Sequence, residues 1–434
     1  MALPVVALVG RPNVGKSTLF NRIVGGRRAV VSEREKTTRD RNYGEGEWQG
    51  RRFLLVDTGG FLPEREASSL DRLVVRQVQS AADEADVVLF LVDAKTGPLA
   101  VDLEMARDLR RRKAAVIVVV NKADNDRLRS ELYTFLELGL GEPVAVSAAH
   151  GLGLDGLFER MAPHIPEREE PKAEETLRIG IVGRPNVGKS SLVNAYLGKD
   201  QMIVSDTPGT TRDSVDSVIR WRERKISLVD TAGIRRRSRV RDDVEYYSVL
   251  RALRSIHGSE VVFLLIDGNE PVGNQDARIA SIADRLGRGI VVLLNKTDLP
   301  HEKTSEERKR EVWERMPFLR YAPVLTISAL TRKNIGKALD TAMAVAEERE
   351  KQIATSALNK LVEEAVHRNP PPSGRRGNQV YYAVQTAKAP PTFLFFVKDA
   401  SAVTDAYRRY LIRSIREKHP YPGSPIRVRI REKT

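Results

Sequence analysis

One nine-residue string, VGRPNVGKS, occupies residues 9–17 and returns unchanged at 182–190. A G-x-x-x-x-G-K-S run bends the chain so that successive backbone N–H groups point at phosphate oxygens, with a helix N-terminus behind them. Such a loop works only where a strand hands over to a helix, so its double occurrence constrains the fold twice. The repeat extends well past the loop. At the same offset of 173, TTRD at 37–40 falls on TTRD at 210–213, and DTGG at 57–60 falls on DTAG at 230–233. Asn121-Lys122-Ala123-Asp124 meets Asn295-Lys296-Thr297-Asp298 at an offset of 174, and Ser147-Ala148-Ala149 meets Ser328-Ala329-Leu330 at 181. Five signals in one order are a duplicated domain, far longer than a solenoid unit.

Between the signals lie short apolar, β-branched runs. The first copy has PVVALVG, RRFLLVDTG, DVVLFLVDA, AVIVVVNKAD and PVAVSAA; the second has LRIGIVG, KISLVDTAG, EVVFLLIDG, IVVLLNKTD and PVLTISA. Alternating with helical stretches, they predict the buried strands of a mostly parallel, wound α/β sheet, with ligands at the carboxyl ends of the strands. The copies are expected at 1–162 and 177–350, joined by an acidic Pro- and Glu-rich linker at 163–176. Residues 351–434 read as a smaller α+β unit: helix 352–367, a Pro and Gly loop 370–377, strands 379–386 and 392–398, helix 402–418, and strand 425–431.

At 434 residues the chain is too long for one core, and it contains no cysteine, which removes disulfides and thiolate metal sites and fits a reducing, cytoplasmic setting. The opening MALPVVALVG reads as a strand and not as a signal core, since it runs straight into the phosphate loop. The longest aliphatic run, Ala114 to Val120, is far short of the roughly 20 residues of a membrane helix, so no membrane is expected. Net charge is +14, of which residues 1–160 supply +1 and residues 161–350 supply +3. The last segment, 351–434, sets 16 basic residues against 6 acidic ones. Such a block points to an anionic partner, nucleic acid first, with a solubilising tail as the alternative.

The motifs divide the work of holding a nucleotide. Gly10, Arg11, Pro12, Asn13, Val14, Gly15, Lys16, Ser17 and Thr18 form one phosphate loop; Gly183, Arg184, Pro185, Asn186, Val187, Gly188, Lys189, Ser190 and Ser191 form the other. Lys16 and Lys189 are expected to reach the β and γ phosphates, while Ser17 and Ser190 give a hydroxyl to Mg²⁺. Asp57 and Asp230 end strands where a carboxylate holds the metal through water. They are followed by Thr58-Gly59-Gly60 and Thr231-Ala232-Gly233, in which Gly60 and Gly233 free a backbone N–H for the γ-phosphate. Thr38 and Thr211 are expected to supply the second hydroxyl to Mg²⁺, although spacing fits Thr37 or Thr210 equally.

Base recognition falls to Asn121, Lys122 and Asp124, and to Asn295, Lys296 and Asp298. A fixed carboxylate accepts from the ring N–H and exocyclic amine of guanine, and adenine offers no such donor pair on that edge. A pocket built for both bonds rejects ATP, because the Asp would be left unpaired. Ser147 and Ala148, with Ser328 and Ala329, are expected to complete each pocket through a backbone N–H to the guanine carbonyl. GTP and GDP with Mg²⁺ are therefore the ligands expected.

Tandem domains of this kind followed by a small basic unit resemble the Der (EngA) family of bacterial GTPases over nearly the whole chain. The resemblance implies a KH-like C-terminal domain and GTP hydrolysis coupled to assembly of the large (50S) ribosomal subunit, through its rRNA and ribosomal proteins, by a cytoplasmic monomer. An alternative is an RNA-particle-binding module in which one G domain holds GTP structurally and only the other turns over. Small signalling GTPases place a glutamine after D-T-x-G to orient the attacking water; here Phe61 and Ile234 stand in that place. The resemblance further implies a monovalent cation, potassium, held by Asn13 and Asn186; the alternative is that these asparagines serve loop geometry alone.

The copies diverge after D-T-x-G. FLPEREAS at 61–68 is mixed in charge, while IRRRSRVR at 234–241 carries five arginines, which suggests halves that sense different surfaces. GRRG at 374–377 matches the GXXG clamp of KH domains, yet it lies between a helix and a strand and not between two helices. RNA contact is therefore expected over Arg408, Arg409, Arg413, Arg416 and Lys418, with Arg409, Arg413 and Arg416 forming a stripe at helical spacing. Tyr381, Tyr382, Phe393 and Phe395 are expected to pack the sheet.

Overall fold

The computed structural model describes residues 3–25, 43–58, 85–112, 114–125, 128, 131–166, 176–198, 216–229, 245–300, 303–372 and 378–433. Thr37, Thr38, Gly59, Gly60 and Phe61 lie outside the described residues, as do Thr210, Thr211, Asp230, Thr231, Ala232, Gly233, Ile234, the arginine run that follows it, and GRRG at 374–377. The chain divides into two compact units, Met1–Ala173 with Val244–Arg254, and Glu174–Asp243 with Ser255–Thr434.

In the first unit, β1 (Val5–Val9), β2 (Tyr43–Trp48), β3 (Arg51–Asp57), β4 (Val87–Asp93), β5 (Ala115–Asn121) and β6 (Val144–Ala145) form one sheet in the order β2-β3-β1-β4-β5-β6. Every pairing is parallel except β2 with β3. All seven residues of β4 are buried, as a strand covered on both faces by helices requires. β2, with the sequence YGEGEW, is an edge strand that the apolar pattern does not announce; its register is supported by Arg52 of β3 bonding to Glu45. Helix α1 (Lys16–Gly25) starts directly at the loop lysine and buries Leu19, Phe20 and Ile23. Helices α2 (Ala100–Arg110) and α3 (Leu154–Met161) follow β4 and β6. The first core reaches Ile165, inside the stretch expected to be linker.

The second α/β domain repeats this order. β7 (Thr176–Val182), β8 (Ser217–Trp221), β9 (Arg224–Val229), β10 (Val261–Asp267), β11 (Gly289–Asn295) and β12 (Val324–Thr326) pair as β8-β9-β7-β10-β11-β12, again with one antiparallel edge strand, β8. Its helices include α4 (Lys189–Leu197), α6 (Asn274–Arg285), α7 (Ser305–Arg315) and α8 (Ile335–Arg349), while α5 (Glu245–Gly258) is divided between the two units after Arg254. The duplication read from the motifs is thus a duplication of topology.

The C-terminal domain has the α-β-β-α-β order expected: α9 (Thr355–Arg368), β13 (Val380–Ala387), β14 (Thr392–Val397), α10 (Asp405–Lys418) and β15 (Arg427–Glu432). β14 pairs antiparallel with β13 and parallel with β15. Leu358, Leu361 and Val362 of α9, with Leu411 and Ile415 of α10, cover Phe393 and Phe395. The four aromatics divide: Phe393 and Phe395 are fully buried, whereas Tyr381 is 41% exposed and Tyr382 stacks on Phe396 with ring centroids 4.4 Å apart.

Arg416 does not lie on an exposed stripe, contrary to the expectation. Its guanidinium donates to the carbonyls of Pro420 (2.6 Å), Tyr421 (3.1 Å) and Ser424 (2.7 Å), and lies 4.4 Å from the centroid of the Tyr321 ring. Burial lowers its pKa to about 10, against the pull of Tyr321 and Asp284. Arg409 and Arg413 remain exposed. Spacing alone placed the three arginines near one another on α10, but it could not say which of them faces a neighbour.

That neighbour is the second α/β domain. Tyr321 donates its hydroxyl to Asp284 at 2.6 Å, and Arg427 donates to the carbonyls of Asp284 and Arg285. The Gly423 N–H donates to the Tyr321 carbonyl (2.8 Å), and the Ile290 N–H donates to the Gly423 carbonyl (2.7 Å). Gly423 has φ 71°, and a β-carbon there would come within 2.3 Å of a Val345 methyl, so the contact needs glycine. The C-terminal domain is therefore fastened at the start of β11, the end opposite Asn295.

Burial pushes the Tyr321 phenol well above its ordinary pKa, and Asp284 adds to the shift, so the hydroxyl stays protonated and donating. Tyr321→Phe leaves Asp284 without that donor. Its expected cost is about 1–2 kcal/mol, visible in calorimetry as a lower transition temperature for the second unit.

Candidate nucleotide-binding sites

Each phosphate loop joins a strand end to the first residue of a helix, Val9 to Lys16 and Val182 to Lys189. Gly15 has φ 97°, and a β-carbon there would sit 2.2 Å from Asn121 Nδ2; Gly188 has φ 98° and the same 2.2 Å approach to Asn295 Nδ2. These glycines are required twice over, by backbone conformation and by a side chain pressed against them. Asn13 and Asn186, at φ 65° and 63°, occupy the left-handed region that asparagine tolerates better than most residues. Lys16 Nζ donates to the carbonyls of Gly10 (2.8 Å) and Arg11 (2.7 Å); Lys189 Nζ donates to those of Gly183 (2.9 Å) and Arg184 (2.5 Å). The ammonium is thus held over its own loop. Burial lowers the pKa of Lys16, opposed by the Asp57 carboxylate and assisted by the Arg11 charge.

Ser17 Oγ donates to Asp57 Oδ2 at 2.6 Å, and Asp57 is buried at the end of β3. A hydroxyl and a carboxylate meeting beside a phosphate loop are the hard oxygen donors that suit Mg²⁺. Among the described residues there is no group of three or more His, Cys, Asp or Glu able to hold a metal, so an ion here would complete its shell with phosphate oxygens and water. That is the habit of Mg²⁺, and the residues fit it.

The base end is built around a buried carboxamide. Asn121 Nδ2 donates to the Val14 carbonyl (2.8 Å), and its Oδ1 accepts from the Ala148 N–H (3.0 Å). Asn295 does the same with Val187 (2.8 Å) and Ala329 (2.9 Å). Of the N–H groups expected to meet the guanine carbonyl, those of Ala148 and Ala329 are thus donated to these carboxamides, and those of Ser147 and Ser328 to the carbonyls of Leu152 (3.0 Å) and Lys333 (3.1 Å). Lys122 Nζ donates to the Asn13 carbonyl (2.8 Å) and to Asp93 Oδ2 (2.6 Å), and Lys296 pairs with Asp267 at 2.5 Å. Asp93 and Asp267 were not singled out from sequence, yet they recur at the repeat offset of 174. An acidic residue at matching positions in both copies is the sequence signal for them.

Asp124 Oδ1 accepts from Ser147 Oγ at 2.8 Å, and Asp298 accepts from Ser328 Oγ at 2.5 Å. The serines therefore orient these two carboxylates. The pockets differ in charge beside the carboxylate: Lys95 lies 3.1 Å from Asp124 Oδ2, and the equivalent residue is the neutral Asn269, whose amide donates to the Lys296 carbonyl at 3.3 Å. Hydrogen bonds from Ser147 and then Lys95 hold the Asp124 carboxyl below the usual carboxylate range. Asp124 is ready as an acceptor in its ionised form.

Comparison with known proteins agrees with this geometry. A family of 50S ribosome-binding GTPases matches residues 5–122 and 178–296, and the C-terminal KH-domain-like family of EngA bacterial GTPase enzymes matches residues 352–431. The chain is 46% identical over 437 residues to GTPase Der of Desulfitobacterium hafniense, covering 100% of this chain and 99% of that one. It is 43% identical over 441 residues to GTPase Der of Brevibacillus brevis, covering 100% of both. Among solved structures, the FeoB G-domain from Methanococcus jannaschii is 27% identical, covering 38% of this chain and 98% of that one at a TM-score of 0.27. With two phosphate loops, two guanine-type base pockets and a KH-like C-terminal domain in one continuous match, the chain belongs to the GTPase Der family.

Proposed function

We propose that each α/β domain binds GTP and GDP, hydrolyses GTP by in-line attack of water, and thereby switches a factor that acts in assembly of the large (50S) ribosomal subunit. The observation that carries this is the paired construction of the pockets, in which the same carboxamide, lysine and serine contacts recur at equivalent positions. Loop amides and Lys16 or Lys189 bind the phosphates, and Asp124 or Asp298 selects the purine. Ser17 with Asp57, and Ser190 with Asp230, would hold Mg²⁺, which when bound draws negative charge off the phosphate oxygens. Thr38 and Thr211, with the backbone of Gly60 and Gly233, would close on the γ-phosphate. The C-terminal domain, with Arg409 and Arg413 exposed on α10, is the surface we assign to ribosomal RNA.

Asparagine carries one acceptor and one donor where aspartate carries two acceptors, so it matches the N1–H and 2-oxo group of xanthine and no longer guanine. Asp124→Asn and Asp298→Asn together are expected to weaken GDP binding by at least about 100-fold and to create xanthosine diphosphate binding, measured by titration calorimetry. Unchanged guanine preference would remove the base-reading role.

Asn13 and Asn186 are assigned to a potassium ion that offsets charge on the β,γ bridge, in the place left by the missing glutamine after D-T-x-G. The left-handed backbone is reason enough for asparagine by itself, so rates decide. Hydrolysis is expected to be at least about tenfold faster in potassium than in sodium, a difference of about 1.4 kcal/mol in barrier, and equal rates would leave only loop geometry.

Sedimentation with purified 50S subunits tests the ribosomal role. A larger bound fraction is expected with a nonhydrolysable GTP analogue than with GDP, and equal fractions would refute nucleotide switching of that association.

A further inference from the structure

We infer that Arg11 and Arg184 are positioning residues for the phosphate loops, each acting through a buried carboxylate on the helix that follows β4 or β10. The inference rests on the proposal that the loops hold guanine nucleotides.

Arg11 Nε donates to Asp102 Oδ1 at 2.8 Å, and Arg11 Nη2 donates to Thr96 Oγ1 at 3.2 Å. Asp102 is fully buried, and its Oδ2 accepts the Leu99 N–H (3.0 Å) at the start of α2. The second domain repeats the arrangement. Arg184 Nε lies 2.9–3.0 Å from the oxygens of the fully buried Asp276, which accepts the Gly273 N–H (2.9 Å) at the start of α6. Arg184 also reaches Glu270 at 3.3 Å. In both copies one carboxylate joins the loop arginine to a helix start, and the arginine's second arm grips the segment just before that helix.

The arginine also stands next to the phosphate chemistry. Its own carbonyl accepts from the loop lysine, Arg11 from Lys16 and Arg184 from Lys189. Moving the arginine moves the carbonyl that aims the ammonium. The guanidinium itself is directed away to Asp102 or Asp276, so it cannot at the same time stabilise charge on a transferring phosphate. Burial pushes the Asp276 carboxyl up, and the Gly273 N–H and Arg184 oppose that shift, so the carboxylate relies on these partners to stay ionised. A loop whose only duty was to present amides would not need a buried ion pair behind its second residue. Planar guanidinium suits this place because one side chain serves two acceptors in fixed directions.

The test uses the full-length chain with Lys189→Ala, so that the first site alone is read. Arg11→Gln is expected to lower GDP affinity about tenfold while leaving guanosine, which has the base and no phosphate, competing as it does against the parent chain. Asp102→Asn is expected to match that loss, with the double variant no weaker than either single one, since both break one connection. Arg11→Lys keeps the charge but not the two-armed reach, and should recover part of the affinity. Unchanged GDP affinity in Arg11→Gln would overturn the inference. So would a parallel loss of guanosine binding, which marks general unfolding of the pocket, or a fall in kcat at constant GDP affinity, which marks direct action on the transition state. Failure of the parent chain to bind GDP would instead sink the nucleotide assignment itself.

Discussion

A single buried carboxamide in each α/β domain decides whether the two ends of the nucleotide pocket exist as one object. Asn121 gives its N–H to the phosphate loop at Val14 and takes an N–H from the base loop at Ala148; Asn295 does so between Val187 and Ala329. The loops lie more than 100 residues apart in sequence and are joined here through one side chain. Because the amide is buried, removing either partner leaves a donor or acceptor orphaned at about 1–3 kcal/mol. The glycine that ends each loop follows from the same contact, since any side chain at Gly15 or Gly188 would collide with it. Lysine, serine and aspartate of the base motif are arranged around this fixed point.

Much of this was legible in the sequence because motif and strand pattern agree. Apolar runs ending in polar signals located five strands of each sheet, and the tail's α-β-β-α-β order followed from turn residues and alternation. β2 and β8 escaped because an edge strand needs no apolar stripe: YGEGEW gains its place by pairing with β3. Arg416 was misplaced for a different reason. Helical spacing reports which residues share a face, but whether that face meets solvent or Tyr321 depends on a partner 95 positions earlier in the chain. Asp93 and Asp102 carry no local motif at all. They become visible only when both copies are compared, as charges that return at Asp267 and Asp276.

In the second unit, two elements connect the pocket with the C-terminal domain. β11 contacts Gly423 through Ile290 near its start and ends at Asn295, about 16 Å further along at the usual strand rise. α6 holds Arg184 through Asp276 in its first turn and holds Tyr321 and Arg427 through Asp284 in its last, about 12 Å away. A strand and a helix, each internally hydrogen-bonded, are stiff over such lengths. The phosphate loop and the KH-like domain of this unit therefore share a frame, and a displacement at one end has few soft joints in which to dissipate.

The letter-for-letter identity of the two loops limits where functional difference between the sites can arise. Whatever distinguishes them must come from residues around the loops. The structure offers two sources. Lys95 places a positive charge beside Asp124 of the first pocket, where the second has neutral Asn269. The second pocket, in turn, lies in one compact unit with the C-terminal domain. The exposed Lys95–Asp124 pair is worth little by itself. The C-terminal attachment persists in every state of the pocket that leaves β11 and α6 intact. Of the two, the attachment is the stronger reason for one chain to carry the same loop twice: a frame shared with the KH-like domain is something a copied loop cannot supply.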